Sequence, residues 1–153
     1  MKFLLTATTL ILLAGCAGTL HSTNSDTANA AMPEAIKAFN DVCLKTAPTF
    51  SNAEKVAASY GMSDLLDLGF TKTGFNKDQS LGVQIKENKE CVITTPSQQS
   101  KILTKTFLKI VEQYSSTPVS KTVPTKATIN GKIFIFMHDR NGGEAYVMLN
   151  PND

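Results

Sequence analysis

The chain has 153 residues, with 15 Lys+Arg, 13 Asp+Glu and a formal net charge of +2. That length suits one modest hydrophobic core, and 42% apolar residues are too many for a wholly disordered chain. So weak a positive charge excludes a dedicated nucleic-acid binder, and a single long apolar stretch excludes a wholly membrane-embedded chain.

That stretch opens the chain. Lys2 gives a short positive region, and Phe3 to Leu13 give an apolar run of signal-peptide length. It is short for a transmembrane helix, and polar residues follow at once. Leu13-Ala14-Gly15-Cys16 comes directly after it. This tetrapeptide resembles the lipobox of bacterial lipoproteins, in which the Cys thiol is joined to diacylglycerol and the chain is cut just before it. Ala14 and Gly15 let an extended backbone enter a peptidase, and only a Cys offers a thioether-forming sulfur. The resemblance implies a signal peptide over residues 1–15, lipid on Cys16, and a membrane as partner. Each buried acyl methylene gains about 0.8 kcal/mol, so two or three chains anchor stably. Ala17 stands where an Asp tends to retain Gram-negative lipoproteins at the inner membrane. The resemblance therefore implies the outer membrane, facing the periplasm or the surface.

Residues 16–32 carry almost no bulky side chain and read as a flexible tether, with a reach of about 20–24 Å. His21 lies in it as an uninvolved polar residue. With Cys16 spent on lipid, Cys43 and Cys91 remain, in an oxidising compartment where two leftover thiols most simply pair. A redox pair or a metal site is the alternative. There is no Cys-x-x-Cys, and no His or acid cluster accompanies either Cys at ligand spacing, so neither metal nor cofactor is expected.

A single domain is expected over residues 33–150, with 151–153 as a tail. Pro33 and Glu34 open a first helix with Ile36, Phe39, Val42 and Cys43 as its apolar stripe; Pro48 stops it. Ser51-Asn52-Ala53-Glu54 reads as a capping box for a second helix, ended by Gly61. Ser63 to Leu68 reads as a short helical turn and Gly69 to Ser80 as irregular. Leu81 to Glu87 alternates as a half-buried strand, and Glu90 to Thr95 is a second. A two-residue loop between them would put Cys91 opposite Lys86, on the wet face. A three-residue loop would put it opposite Ile85, facing the core and the first helix, so a Cys43–Cys91 bridge requires the longer loop or a bulge.

Ser97 reads as the cap of the longest helix, with Leu103, Phe107, Ile110, Val111 and Tyr114 at helical spacing. Ser115 to Lys126, with Pro118 and Pro124, reads as a loop. Ala127 to Ile129 and Lys132 to Met137 flank Asn130-Gly131, a strong hairpin signal, and Glu144 to Leu149 is the last strand. Ile133, Ile135 and Met137 alternate with Phe134 and Phe136, which predicts a central strand covered on both sides. The expected fold is α+β: an antiparallel sheet of about five strands with helices packed on it, in the order α-α-β-β-α-β-β-β.

Phe39-x-x-x-Cys43-Leu44, Pro48, Ala53, Ala57, Gly61 and Cys91 with Val92 and Ile93 also resemble a family of small exported bacterial proteins. That family was first catalogued from a meningococcal hypothetical protein. The resemblance covers about residues 36–95 and implies an exported, disulfide-linked domain, without an activity or catalytic residues.

Three places are candidates for function. Lys101, Lys105 and Lys109 recur every four residues and suit an anionic partner, or simply form the solvated back of an amphipathic helix. Phe70 and Phe75 border an irregular stretch and are either exposed recognition aromatics or plugs folded under the loop. His138, Asp139 and Arg140 form the densest reactive cluster, but strand neighbours point to opposite faces, so a polar turn is the simpler reading. No Gly-x-Ser-x-Gly elbow or His-Glu-x-x-His helix is present, and no catalytic residue is assigned. The expected role is a non-enzymatic, lipid-anchored binding module for an envelope or host protein. A structural part of the outer membrane and a small periplasmic enzyme are the alternatives.

Overall fold

A computed structural model of the protein describes residues 32–152. The expected signal peptide, the expected lipidation at Cys16 and the expected tether before Met32 lie outside the described residues.

Helix α1 (Glu34–Ala38) runs directly into a π-helical segment, Phe39–Leu44. Pro33 is the residue before the helix and Glu34 sits in its positive first turn. Ile36, Phe39, Val42 and Cys43 are all buried, as their spacing predicts. Helix α2 (Ala53–Ala58) follows, but the capping box does not form. Asn52 occupies the cap position without a side-chain bond. The Ser51 hydroxyl instead meets that of Thr49 at 3.1 Å, and Glu54 pairs with Lys72. Lys45 and the Tyr60 hydroxyl both bind the Asp41 carboxylate, joining the π-helical segment to the end of α2. Partial burial works against the Asp41 charge, but the donors Lys45, Tyr60 and Asn40 outweigh it and hold its pKa below the ordinary value.

Seven strands make one antiparallel sheet: β1 (Leu66–Asp67), β2 (Lys72–Phe75), β3 (Gly82–Lys86), β4 (Glu90–Thr95), β5 (Thr125–Ile129), β6 (Lys132–His138) and β7 (Gly143–Leu149). Helix α3 (Ile102–Tyr114) lies between β4 and β5 in the chain, and the strand order is β1-β2-β3-β4-β7-β6-β5. The α+β class stands, and the expected five strands become seven. The short helical turn expected at 63–68 is replaced by β1, and β2 lies inside the stretch expected to be irregular. Gly69, at φ 83, makes a tight turn that lets Leu66 and Asp67 pair with Thr73 and Lys72.

Between β3 and β4, Ile85 faces Cys91 and Lys86 faces Glu90, leaving a three-residue loop. Cys91 therefore points to the helix side, where it forms a disulfide with Cys43, Cα atoms 5.5 Å apart. Asn130 and Gly131, at φ 49 and 79, form the expected two-residue turn between β5 and β6.

The long helix starts at Ile102 rather than after Ser97. The intervening residues are engaged elsewhere: the Gln98 N–H and the Ser97 hydroxyl donate to the Arg140 carbonyl at 2.7 and 3.3 Å, and Arg140 Nη1 donates to the Gln99 carbonyl at 3.1 Å.

The core lies between the helices and one face of the sheet. At its centre the Phe39 ring meets Phe107 at 5.0 Å, Tyr146 at 6.2 Å and Phe136 at 6.5 Å. The opposite sheet face is not covered as β6 predicted. Ile133 is 46% exposed and Met137 37%. Met137 pairs with Val147 and Val147 with Val92 on that face, but Val147 and Val92 are buried, so the exposed apolar surface there is that of Ile133 and Met137 on β6. The apolar alternation of β6 marks this patch, not a second covering layer. Among the described residues no helix is long and apolar enough to cross a membrane.

Candidate functional site: a lysine-walled groove

Helix α3 turns Leu103, Phe107, Ile110 and Val111 into the core. At 100° per residue this leaves Lys101, Lys105 and Lys109 in a row on the outer side. The three lysines are exposed, and the row also borders a groove. Residues 116–124 return alongside the helix, and the space between holds a groove of about 700 Å³. One wall is the lysine row with Thr104 and Glu112; the other is Val119, Ser120 and Lys121; Leu108 contributes to the floor. Such a volume is in the range of a small-molecule site.

The second wall is fastened. The Ser116 N–H donates to the Thr128 carbonyl at 2.9 Å, and the Thr128 N–H donates to the Thr117 hydroxyl at 3.1 Å. The Ser120 N–H donates to the Thr125 hydroxyl at 3.2 Å. Val119 and Val123 pack against the core. Lys121 is thus held across from the helix by a segment pinned to β5. Among the described residues, Lys101, Lys105, Lys109 and Lys121 form no ion pair; the ion pairs present are Lys45–Asp41, Lys72–Glu54 and Lys86–Glu90. Four ammonium groups against one carboxylate, Glu112, leave the groove with an excess of positive charge. Lys121, Ser120 and Val119 were not legible as site residues, because only the return of the loop brings them beside the helix.

The His138 cluster does not assemble an acid–base pair. His138 points to the core side of β6, opposite Tyr146, and its ring stacks on Tyr146 at 4.5 Å. Its Nδ1 is 2.9 Å from the Thr104 hydroxyl, and its buried Nε2 has no hydrogen-bond partner. Asp139 turns away and accepts the Asn141 N–H at 2.8 Å, while Arg140 binds the Gln99 carbonyl. Burial, then the nearby Arg140 charge, holds the His138 pKa below the ordinary imidazole value, with Asp139 acting in the opposite sense. Tyr146 is pushed up to about 12 by burial and donates its hydroxyl proton to Gln98 Oε1 at 2.8 Å.

A depressed histidine pKa has a definite pH consequence. The folded protein keeps His138 neutral, so its contribution is complete above the unfolded value of about 6.5 and is lost as pH falls below it. Urea midpoints are expected to drop between pH 7 and pH 5 more in the wild type than in His138→Gln. Equal slopes for the two proteins would show that His138 takes no part.

Phe70 and Phe75 are 74% and 54% exposed, so neither is a plug under a loop. Phe70 sits at the β1–β2 turn. Phe75 lies over Gly82 on the neighbouring strand, where a Cβ would come within 2.6 Å of its ring. Neither borders the lysine groove. Among the described residues no group of three or more His, Cys, Asp or Glu is placed to hold a metal ion. No family model, curated protein or solved structure matches the chain.

Proposed function

We propose that the protein is a lipid-anchored, non-enzymatic binding module of the cell envelope, and that its ligand site is the α3 groove, selective for anions. The observation that carries this is the set of four unpaired lysines on two walls of one cavity. Like charges held together without counter-charges repel one another, and an anion placed between them relieves that repulsion. Two further features support a binding role. The one imidazole among the described residues is stacked and turned inward instead of offered to a substrate. The lipobox at Cys16 supports attachment to a membrane, so that a rigid domain is presented close to its surface.

The test is retention on phosphocellulose of the chain beginning at Ala17, whose core and disulfide lie entirely within residues 32–152. The variant Lys101→Glu/Lys105→Glu/Lys109→Glu is expected to elute at markedly lower salt. The control Lys37→Glu/Lys55→Glu/Lys89→Glu alters the same net charge at exposed lysines outside the groove, and is expected to elute close to the wild type. Equal shifts in both would mean that only net charge is being read.

A second reading, a structural part of a larger envelope assembly, is favoured by the open sheet face with Ile133 and Met137. Under it, Ile133→Ser/Met137→Ser leaves the fold intact but releases the protein from detergent-solubilised complexes. Unchanged co-migration would dismiss that reading.

A further inference from the structure

We infer that the α3 groove is a binding site for a phosphate-headed lipid, its headgroup held by the lysines and its apolar part laid along Leu108, Val119 and Ile102. This rests on the reading of the groove as an anion site and adds the class of ligand. A site for a bare anion is lined by donors throughout. This one is lined by Leu108 and Val119 as well as by its lysines. Thr104 and Ser120 add polar residues, one on each wall, the Thr104 hydroxyl being held by His138 Nδ1 at 2.9 Å. Ile102 supplies a second, separate observation. It is 63% exposed at the start of α3. Lys105 and Lys109 follow it by three and seven residues, so all three project to one side of the helix. A large aliphatic side chain left in water beside a lysine row has the pattern of a surface that meets headgroups and the first acyl methylenes together. Charge complementarity selects an anionic headgroup. Lysine is a compact point charge suited to phosphate, and four of them exceed what the single Glu112 can neutralise.

The groove lies on an outer helix face and needs no rearrangement of the core to receive such a ligand. Glu112 opposes the lysines and sets a limit: the headgroup must approach nearer to Lys105, Lys109 and Lys121 than to the carboxylate.

The experiment uses the chain beginning at Ala17, which carries no lipid of its own. Its binding is measured to phosphatidylcholine vesicles with and without phosphatidylglycerol, with inorganic phosphate as competitor. Binding is expected only when phosphatidylglycerol is present. Lys109→Gln/Lys121→Gln is expected to weaken it roughly thirtyfold, at about a fivefold factor per lysine near an anionic surface. Ile102→Ser, outside the groove lining, is expected to weaken vesicle binding several-fold without changing retention on phosphocellulose, and adding Val119→Ser, in the groove wall, to weaken vesicle binding roughly tenfold. Ile102 is exposed, so Ile102→Ser alone tests the apolar contact even if the double variant is less stable. If the serine variants bind vesicles like the wild type and inorganic phosphate competes fully, the lipid inference is overturned while the anion site stands. If vesicle binding survives Lys109→Gln/Lys121→Gln, the lipid is held elsewhere and the inference is likewise overturned. If the wild type binds neither vesicles nor phosphocellulose, both readings fall.

Discussion

Replacing Cys43 and Cys91 together by Ala is expected to cost about 4 kcal/mol of unfolding free energy. The two residues are 48 apart in sequence, so the bridge closes a long loop in the unfolded chain. The chain-entropy account gives a large value for such a loop because the unlinked ends have many more arrangements to lose on folding. Both Cys residues are fully buried, so the loss of their sulfur atoms also leaves a small void, acting in the same direction. A domain of this size has about 5–15 kcal/mol in total, so the change consumes a large part of it. Urea unfolding of the oxidised wild type and the double variant measures the difference directly. A loss below about 1 kcal/mol would mean that the reduced unfolded chain already keeps these segments together.

Phe39→Ala is expected to be nearly as damaging, at about 3–5 kcal/mol. Phe39 is fully buried, and its ring is the shared neighbour of Phe107, Phe136 and Tyr146. It comes from the π-helical segment, whereas Phe107 comes from α3 and the other two from β6 and β7. Removing it therefore takes away ring contacts between three layers of chain at once, and edge-on aromatic pairs add to the area term. Phe70→Ala is the matched control, because Phe70 is 74% exposed and should change stability by no more than about 0.5 kcal/mol. Equal urea midpoints for Phe39→Ala and Phe70→Ala would refute this account of the core.

The parts of the fold legible in the sequence are those fixed by local chemistry or by one covalent constraint. The Asn130-Gly131 turn is local. The β3–β4 register follows from requiring Cys91 to face the first helix, and the structure places it opposite Ile85. The cap at Ser97 illustrates the converse. Its local signal is sound, but Arg140, over forty residues away, captures the segment through its carbonyl and guanidinium. Strands β1 and β2 are short, and neither carries a clear apolar–polar alternation; pairing decides them, β2 against β3 and β1 against β2. On β6 the sequence pattern identifies the apolar residues correctly and misassigns what covers them, because alternation cannot distinguish a buried face from an exposed patch. The same holds for the candidate site. The lysine row is plain from its four-residue spacing, while Lys121 and Val119 join it only through tertiary structure.

The covalent bridge also governs how the domain carries a mechanical load. Tension arriving from the N-terminal side enters at Met32 and reaches Cys43 after eleven residues. There it passes into Cys91 on β4, the fourth strand of seven, flanked by β3 and β7. Only α1 and the start of the π-helical segment can peel away, a length of at most about 35–40 Å when fully drawn out. Beyond that point the pull is borne by β4, an inner strand of the sheet and not an edge.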